Sequence, residues 1–412
     1  REAKETMHRI TLSVALWGVL GCGGGSMEVN YYEHIKPIAD AKCIGCHVAG
    51  GIGPFSAVTY QEFLRAEPAK LRTNITERIM PPWPPAANCN EYYADRSLTQ
   101  EQIDRIAAWV DQGRPEGDPN VVGDPIPVEN VGLSRVDETL GMAVDYTARI
   151  EPDDYRCFVI PWPASYIDPV YVTGFRAVPG APSVVHHVIA FVAEPGDAAT
   201  YQVLDDGEDG PGYTCFGGTG GPARTWLGAW APGNLGNNFP LGTGTRVNPG
   251  SLVVLQVHYN SDTAGVLPDR TFVEVSVETS VARGGAIMPF ANPSWPGGNG
   301  MLIPAGEPDV MHTYAGDPTA WMSIITNGRV PSGQPFFVYS AGLHQHQLGA
   351  SIKTSIEYAD QSSECLLDIP RWDFHWQGGY GLRTPLAFAP GDRIRIECHW
   401  DNSAANQPLV NG

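Results

Sequence analysis

From residue 121 onward the chain is cut again and again by Gly and Pro, and the apolar runs between the cuts are short. Gly and Pro number 47 and 36, together a fifth of the 412 residues. Pro removes a backbone donor and Gly carries the largest backbone entropy, so such punctuation disfavours long helices and leaves short strands joined by turns. Tyr171-Val-Thr-Gly-Phe175, Ser251-Leu-Val-Val-Leu-Gln-Val-His258, Phe272-Val-Glu-Val-Ser-Val-Glu278 and Phe336-Phe-Val-Tyr-Ser340 are examples. In the third, Val273, Val275 and Val277 share one face while Phe272, Glu274, Ser276 and Glu278 take the other, which predicts a half-buried strand. About 290 residues of this material predict a mainly β protein with two tandem sandwiches. They divide as 121–290 and 291–412, with the junction at the Gly/Pro-rich stretch 292–306.

The first 120 residues read differently. Residues 1–26 carry a basic start, an 11-residue apolar run and a Gly-rich tether, the pattern of a secretory signal. Cys22 follows Val19-Leu20-Gly21 as in a bacterial lipobox, so a lipid on Cys22 is expected, in a periplasmic or outer-membrane-anchored lipoprotein. Residues 27–120 predict a small all-α, cytochrome c-like domain. Cys43-Ile-Gly-Cys46-His47 has the C-x-x-C-H spacing for covalent haem, with thioethers one helical turn apart and the adjacent His on iron. A redox dithiol and half a zinc site are the rival readings; zinc lacks a second ligand pair at similar spacing. Met80 is expected as the sixth ligand, where a thioether would raise the iron potential. Thr99 and Gln102 form a capping box for a helix whose apolar stripe is Ile103, Ile106 and Val110, stopped by Gly113.

Charge narrows the partners. Against 26 Lys+Arg stand 45 Asp+Glu, a net charge of −19. That balance excludes a nucleic-acid binder working through a basic surface and argues against docking on anionic lipid by charge. No apolar window reaches the 18 residues of a spanning helix, leaving the lipid anchor as the expected membrane contact.

Five histidines in the β half stand in apolar sequence: His186-His187, His258, and His344-Gln-His346. An unpartnered imidazole there would be costly, which points to metal. The i, i+2 spacing puts His344 and His346 on one face of a strand. Adjacent strand residues point to opposite faces, so His186 and His187 can share an ion only at a strand end or bulge. His312, His375 and His399 lack such company and read as structural or surface residues. Three imidazoles suit zinc and copper alike. An attached one-electron carrier tips the choice to a redox metal.

The order H-H, Leu255-Gln-Val-His-Tyr259, then Leu343-His-Gln-His-Gln-Leu-Gly349 resembles the copper type II, ascorbate-dependent monooxygenases, which include peptidylglycine α-hydroxylating and dopamine β-monooxygenases. Asp154-Tyr-Arg-Cys157 and Leu227-Gly-Ala-Trp-Ala-Pro232 extend the likeness over about 150–402. The resemblance implies two copper ions, one on each sandwich, facing each other across a solvent-filled cleft. His186, His187 and His258 would hold the electron-supplying copper, and His344 and His346 the catalytic, oxygen-binding one. It further implies a Cys157–Cys215 disulfide. The third ligand of the oxygen-binding copper is a Met in that family. Met301, Met311 and Met322 precede the H-x-H pair, so either an unusual ligand completes the site or, more simply, the matching Met is expected beyond residue 412, in a truncated last domain.

With the export signal and the haem motif, the resemblance implies an exported monooxygenase hydroxylating a C–H bond of a small organic substrate with O2. An external donor would feed the haem c, and the haem the coppers. Gly342 stands where peptide-amidating members carry an Arg for the substrate carboxylate, so the form is nearer the amine-hydroxylating branch. Cys89, Cys365 and Cys398 remain, either with one partner beyond the chain or as Cys365–Cys398. A non-catalytic electron-transfer or copper-binding protein is the alternative, and a zinc hydrolase a third reading.

Overall fold

In the computed structural model, residues 28–407 are described, apart from 52, 84, 130–131, 224, 233, 262–264, 296–299 and 375. The signal-like segment with Cys22, and His375, lie outside the described residues.

The first described unit is helical. Tyr31–Ile35, Lys36–Lys42, Tyr60–Phe63, Pro68–Thr76 and Gln100–Asp111 enclose a core of Tyr31, Ile35, Phe63, Leu71, Ile75, Ile103, Ile106 and Trp109. The capping box at Thr99 and Gln102 is formed in both directions. Val110 is only partly buried; Trp109, fully buried, takes the central place in the stripe. Gly113 ends the run at φ +82°, a conformation costly for any side chain with a Cβ.

The rest is mainly β. A five-stranded sheet has the order Tyr213–Thr214, Asp153–Pro161, Leu252–Asn260, Val185–Ala193, Thr225–Trp230. It packs on a second sheet running Glu138–Gly141, Phe272–Glu278, Val170–Val178, Thr243–Val247, Arg283–Gly284, with Asn237–Asn238 at the side of Val170–Val178. Val188, Ala190, Val192, Val253, Leu255 and Val257 of the first meet Val172, Phe175, Ala177, Val273 and Val275 of the second in one core. The strand Leu252–Asn260 is buried on both faces because its other side lies under a smaller cluster of Cys157, Phe191, Tyr201, Tyr213 and Cys215. Burial of a nine-residue strand on both faces explains why it reads as a continuous apolar run.

The last unit is a four-stranded sheet, Val310–Gly316, Arg393–Trp400, Gly349–Glu357, Ser363–Ile369, with the pair Phe336–Gly342 and Gly379–Phe388. Its core holds Ile352, Ile356, Leu367, Leu386 and Phe388, and also Tyr92. Residues 86–93, inside the stretch read as helical domain, thus run along this β unit. Tyr92 pairs with Leu382, and the Tyr93 N–H donates to Gly381 O at 2.9 Å.

Disulfides Cys157–Cys215 and Cys89–Cys365 are present. The Cys365–Cys398 alternative is therefore overturned: Cys89 reaches Cys365 through the strap 86–93, and Cys398 stays a buried thiol.

Candidate metal centre

Strand register builds the first histidine group. His258 lies opposite His187 on one side and opposite Tyr155 on the other. The register then slips, so that Tyr259 faces Val185 and His186 is the extra residue of a β-bulge. The bulge turns the His186 ring to the face that His187 already occupies. It is the geometry the H-H doublet demands.

The Nδ1 atom of His187 lies 3.4 Å from Nδ1 of His186 and 3.3 Å from Nδ1 of His258. Three nitrogens each about 2.0–2.1 Å from one ion would stand about 3.3–3.6 Å apart, so these spacings suit a shared metal. Among the described residues, these three imidazoles form a group whose ligand atoms all fall within 4.8 Å of one another. Burial, then the neighbouring imidazole charges, hold the His187 pKa well below the usual histidine value, leaving a neutral ring that can donate a lone pair.

Asp153 joins the site although no motif singles it out. Its Oδ1 lies 2.8 Å from His258 Nε2 and accepts from Asn260 Nδ2 at 2.9 Å. This bond puts the His258 proton on Nε2 and turns Nδ1 toward the other rings, the carboxylate–histidine arrangement common behind metal ligands. The hydrogen bond with His258 is the main reason that the Asp153 carboxyl titrates low. Tyr155 closes the other side, its ring stacked on His258 at 3.9 Å. Alternation from Cys157 back along the strand puts Tyr155 and Asp153 on the histidine face, a signal present in the sequence.

His344 and His346 follow the strand Phe336–Gly342 instead of lying within it, which corrects the expected placement. The backbone still alternates there: Gln345 is buried, both histidines are exposed, and their ring centroids are 4.9 Å apart. His344 Nδ1 lies 2.6 Å from Gln377 Oε1, so the ring donates to the amide and keeps Nε2 for a ligand role. Burial, then His344, lowers the His346 pKa.

The two histidine groups are close enough for His344 to depress the His187 pKa. Phe374 stands between them, its ring centroid 6.2 Å from His186 and 6.2 Å from His346. Phe216 adds a second ring, 6.3 Å from His346 and 5.0 Å from Tyr155. Aromatic rings thus stand beside the gap between the groups, while Phe216 and both histidines of the H-x-H pair remain exposed. The sequence offers no periodicity to find Phe374 or Gln377, which sit in a loop.

His312 bonds to Leu302 O, and His399 pairs with Asp309 at 2.7 Å. Neither joins a metal group among the described residues.

In the helical unit the His47 N–H of the main chain donates to Cys43 O at 3.0 Å, continuing the helix by one turn through the C-x-x-C-H run. The His47 ring nitrogen Nδ1 lies 3.0 Å from Phe55 O, which fixes the proton there and turns Nε2 outward. Gly53 is required at this point, since a Cβ would come within 2.6 Å of the imidazole. Cys43 and Cys46 are free thiols in a chain that forms two disulfides elsewhere. Burial pushes Cys43 up to about 12, opposite to the lowered value of a redox dithiol. Met80 packs in the same cluster as Cys43, Ile44 and Phe55. Two unpaired cysteines at C-x-x-C-H spacing, an imidazole with Nε2 free of the Phe55 bond and a thioether in the same cluster fit a covalently held haem.

Residues 307–412 match the family model for the copper type II ascorbate-dependent monooxygenase C-terminal domain, the part that carries His344 and His346. No curated protein matches the chain. The last quarter of the chain is thus similar to the C-terminal domain of copper-dependent monooxygenases.

Proposed function

We propose that the protein is an exported monooxygenase that hydroxylates a C–H bond of a small organic molecule, with two coppers on its histidines and electrons delivered through a haem c. The observation that carries this reading is the convergence of His186, His187 and His258 at a bulge, facing the H-x-H pair within the family-matched segment. Copper at these imidazoles supplies one-electron chemistry and O2 activation.

The chain's own contribution is to fix tautomers and to place aromatic rings between the two groups. Asp153 holds the His258 proton on Nε2 and Gln377 holds the His344 proton on Nδ1, so the remaining nitrogen of each ring is presented as a donor. Depressed pKa values keep His187 and His346 neutral in the ordinary pH range. Phe374, Phe216 and Tyr155 present apolar ring faces between the groups, against which the hydrocarbon part of a substrate can lie. Cys43, Cys46, His47 and Met80 would hold the haem, and an external donor would reduce it. Two disulfides among the described residues suit an oxidising compartment and support export.

The test is copper- and haem-loaded protein with reductant, O2 and a substrate panel. Two coppers per chain with an O2-derived hydroxyl in product support the reading, and His344→Ala abolishes product while haem reduction survives. Copper binding and haem reduction without product would instead leave an electron-transfer or copper-binding protein. Zinc in place of copper would favour a hydrolase.

A further inference from the structure

The Cys43–His47 turn and the two histidine groups lie in different units, so the docking of the helical unit decides which group it serves. We propose that Arg96 and Trp376 seat the C-x-x-C-H unit against the His344/His346 centre, so that electrons enter there and not at the three-histidine centre. This rests on the proposed function, since it needs haem on Cys43, Cys46 and His47 and copper on the histidines.

The attachment is covalent and extensive. Cys89–Cys365 bridges 276 residues. Around it the Ala86 N–H donates to Asp368 O at 2.8 Å, the Arg383 N–H to Glu91 O at 3.0 Å, and the Tyr92 hydroxyl to Leu366 O at 3.1 Å. Among the described residues, the hydrogen bonds that leave residues 42–93 for a β unit run to the last one. Arg371 Nη2 donates to Arg78 O at 3.2 Å, two residues before Met80. On the other flank Lys42, next to Cys43, donates to Asp95 O at 2.6 Å.

Arg96 sits at the centre of this seam. Its guanidinium lies 5.9 Å from the Trp83 ring centroid and 5.8 Å from that of Trp376, a cation held between two indoles. Its neighbour Asp95 accepts from Lys42, the residue before Cys43. Trp376 is followed by Gln377, whose Oε1 accepts the His344 Nδ1 proton. A short run therefore leads from Cys43 through Lys42, Asp95 and Arg96 to Trp376, Gln377 and His344. From Trp376 the three-histidine centre lies beyond Phe374, whose ring centroid is 6.2 Å from His186.

The step is a single electron: ferrous haem becomes ferric, and cupric copper on His344 and His346 becomes cuprous. No proton or atom is exchanged. Arg96 and Trp376 are positioning residues in this scheme.

Pulse radiolysis of the whole chain, loaded with haem and cupric copper, reads this step as decay of the reduced haem band. With His187→Ala, which removes the three-histidine centre, the decay stays within about twofold of the parent; in the His344→Ala, His346→Ala double variant it is lost. Trp376→Leu slows it by about tenfold or more, Trp376→Phe restores it, and Arg96→Gln slows it with Cys89–Cys365 still formed. Decay that survives the double variant and disappears with His187→Ala overturns this inference while leaving the proposed function intact. Unchanged decay in Trp376→Leu overturns it as well. A chain that gains no haem mass and no haem band overturns both readings.

Discussion

Replacing Asp153 tests whether the three imidazoles form a metal centre or a buried polar cluster. The carboxylate lies 2.8 Å from His258 Nε2, and the bond is what points Nδ1 of that ring at His187, 3.3 Å away. Removing a carboxylate behind a metal-bound imidazole costs about 10–100-fold in affinity, or about 1.4–2.7 kcal/mol at about 1.36 kcal/mol per decade. The Asp153 side chain is 34% exposed, so water can partly take its place and the lower part of that range applies. Asp153→Ala should weaken metal binding by about 10–30-fold. Asp153→Asn keeps an acceptor without the charge and should cost about 3–10-fold. The assay is cuprous-ion competition with a chromophoric chelator at pH 7.5, in a His344→Ala, His346→Ala background so that the three-histidine centre alone reports. Circular dichroism and an intact Cys157–Cys215 bond control for folding. If Asp153→Ala binds copper within about twofold of its parent, the carboxylate does not orient a ligand and the assignment of His258 fails.

The same geometry sets three further outcomes. Gln377→Ala should lower copper affinity at the His344/His346 centre by about tenfold and leave the three-histidine centre unchanged, read by the same competition in a His187→Ala background. For His187 the folded pKa is depressed, so below the unfolded value of about 6.5 the unfolded chain binds more protons. Stability from its burial is therefore present above that pH and lost as pH falls. Metal-free protein should melt progressively lower between pH 7 and 5, and a flat midpoint in differential scanning calorimetry would contradict the buried neutral ring. Breaking Cys89–Cys365 by paired Cys→Ser changes opens a closure of 276 residues, worth about 5–6 kcal/mol by loop entropy and less if the unfolded chain keeps structure. Urea unfolding followed by Trp fluorescence should show that loss, while a change under about 1 kcal/mol would mean the strap holds by hydrogen bonds alone.

Much of this protein is written in local pattern. Alternation in Phe272–Glu278 and the continuous apolar run of Leu252–Asn260 mark strands because a pleated backbone has a period of two, or none when both faces are buried. Thr99, Gln102 and Gly113 mark a helix because capping is settled within one turn. The conflict inside His186-His187 announces a bulge, and the fold supplies one.

What local pattern could not hold is anything that depends on two distant segments meeting. Asp153 acquires its role 105 residues from His258, and Gln377 acquires its own 33 residues from His344. Cys89 chose Cys365 over any nearer-looking pairing because residues 86–93 lie along the last β unit, a choice no spacing encodes. Sequence determined which residues could be ligands, through side-chain chemistry and the period of the backbone. Tertiary structure alone decided which of them converge and which carboxylate or amide sets each tautomer. It also decided which β unit the helical unit is fastened to, because hydrogen-bond reach is a matter of a few ångströms in space and not of distance along the chain.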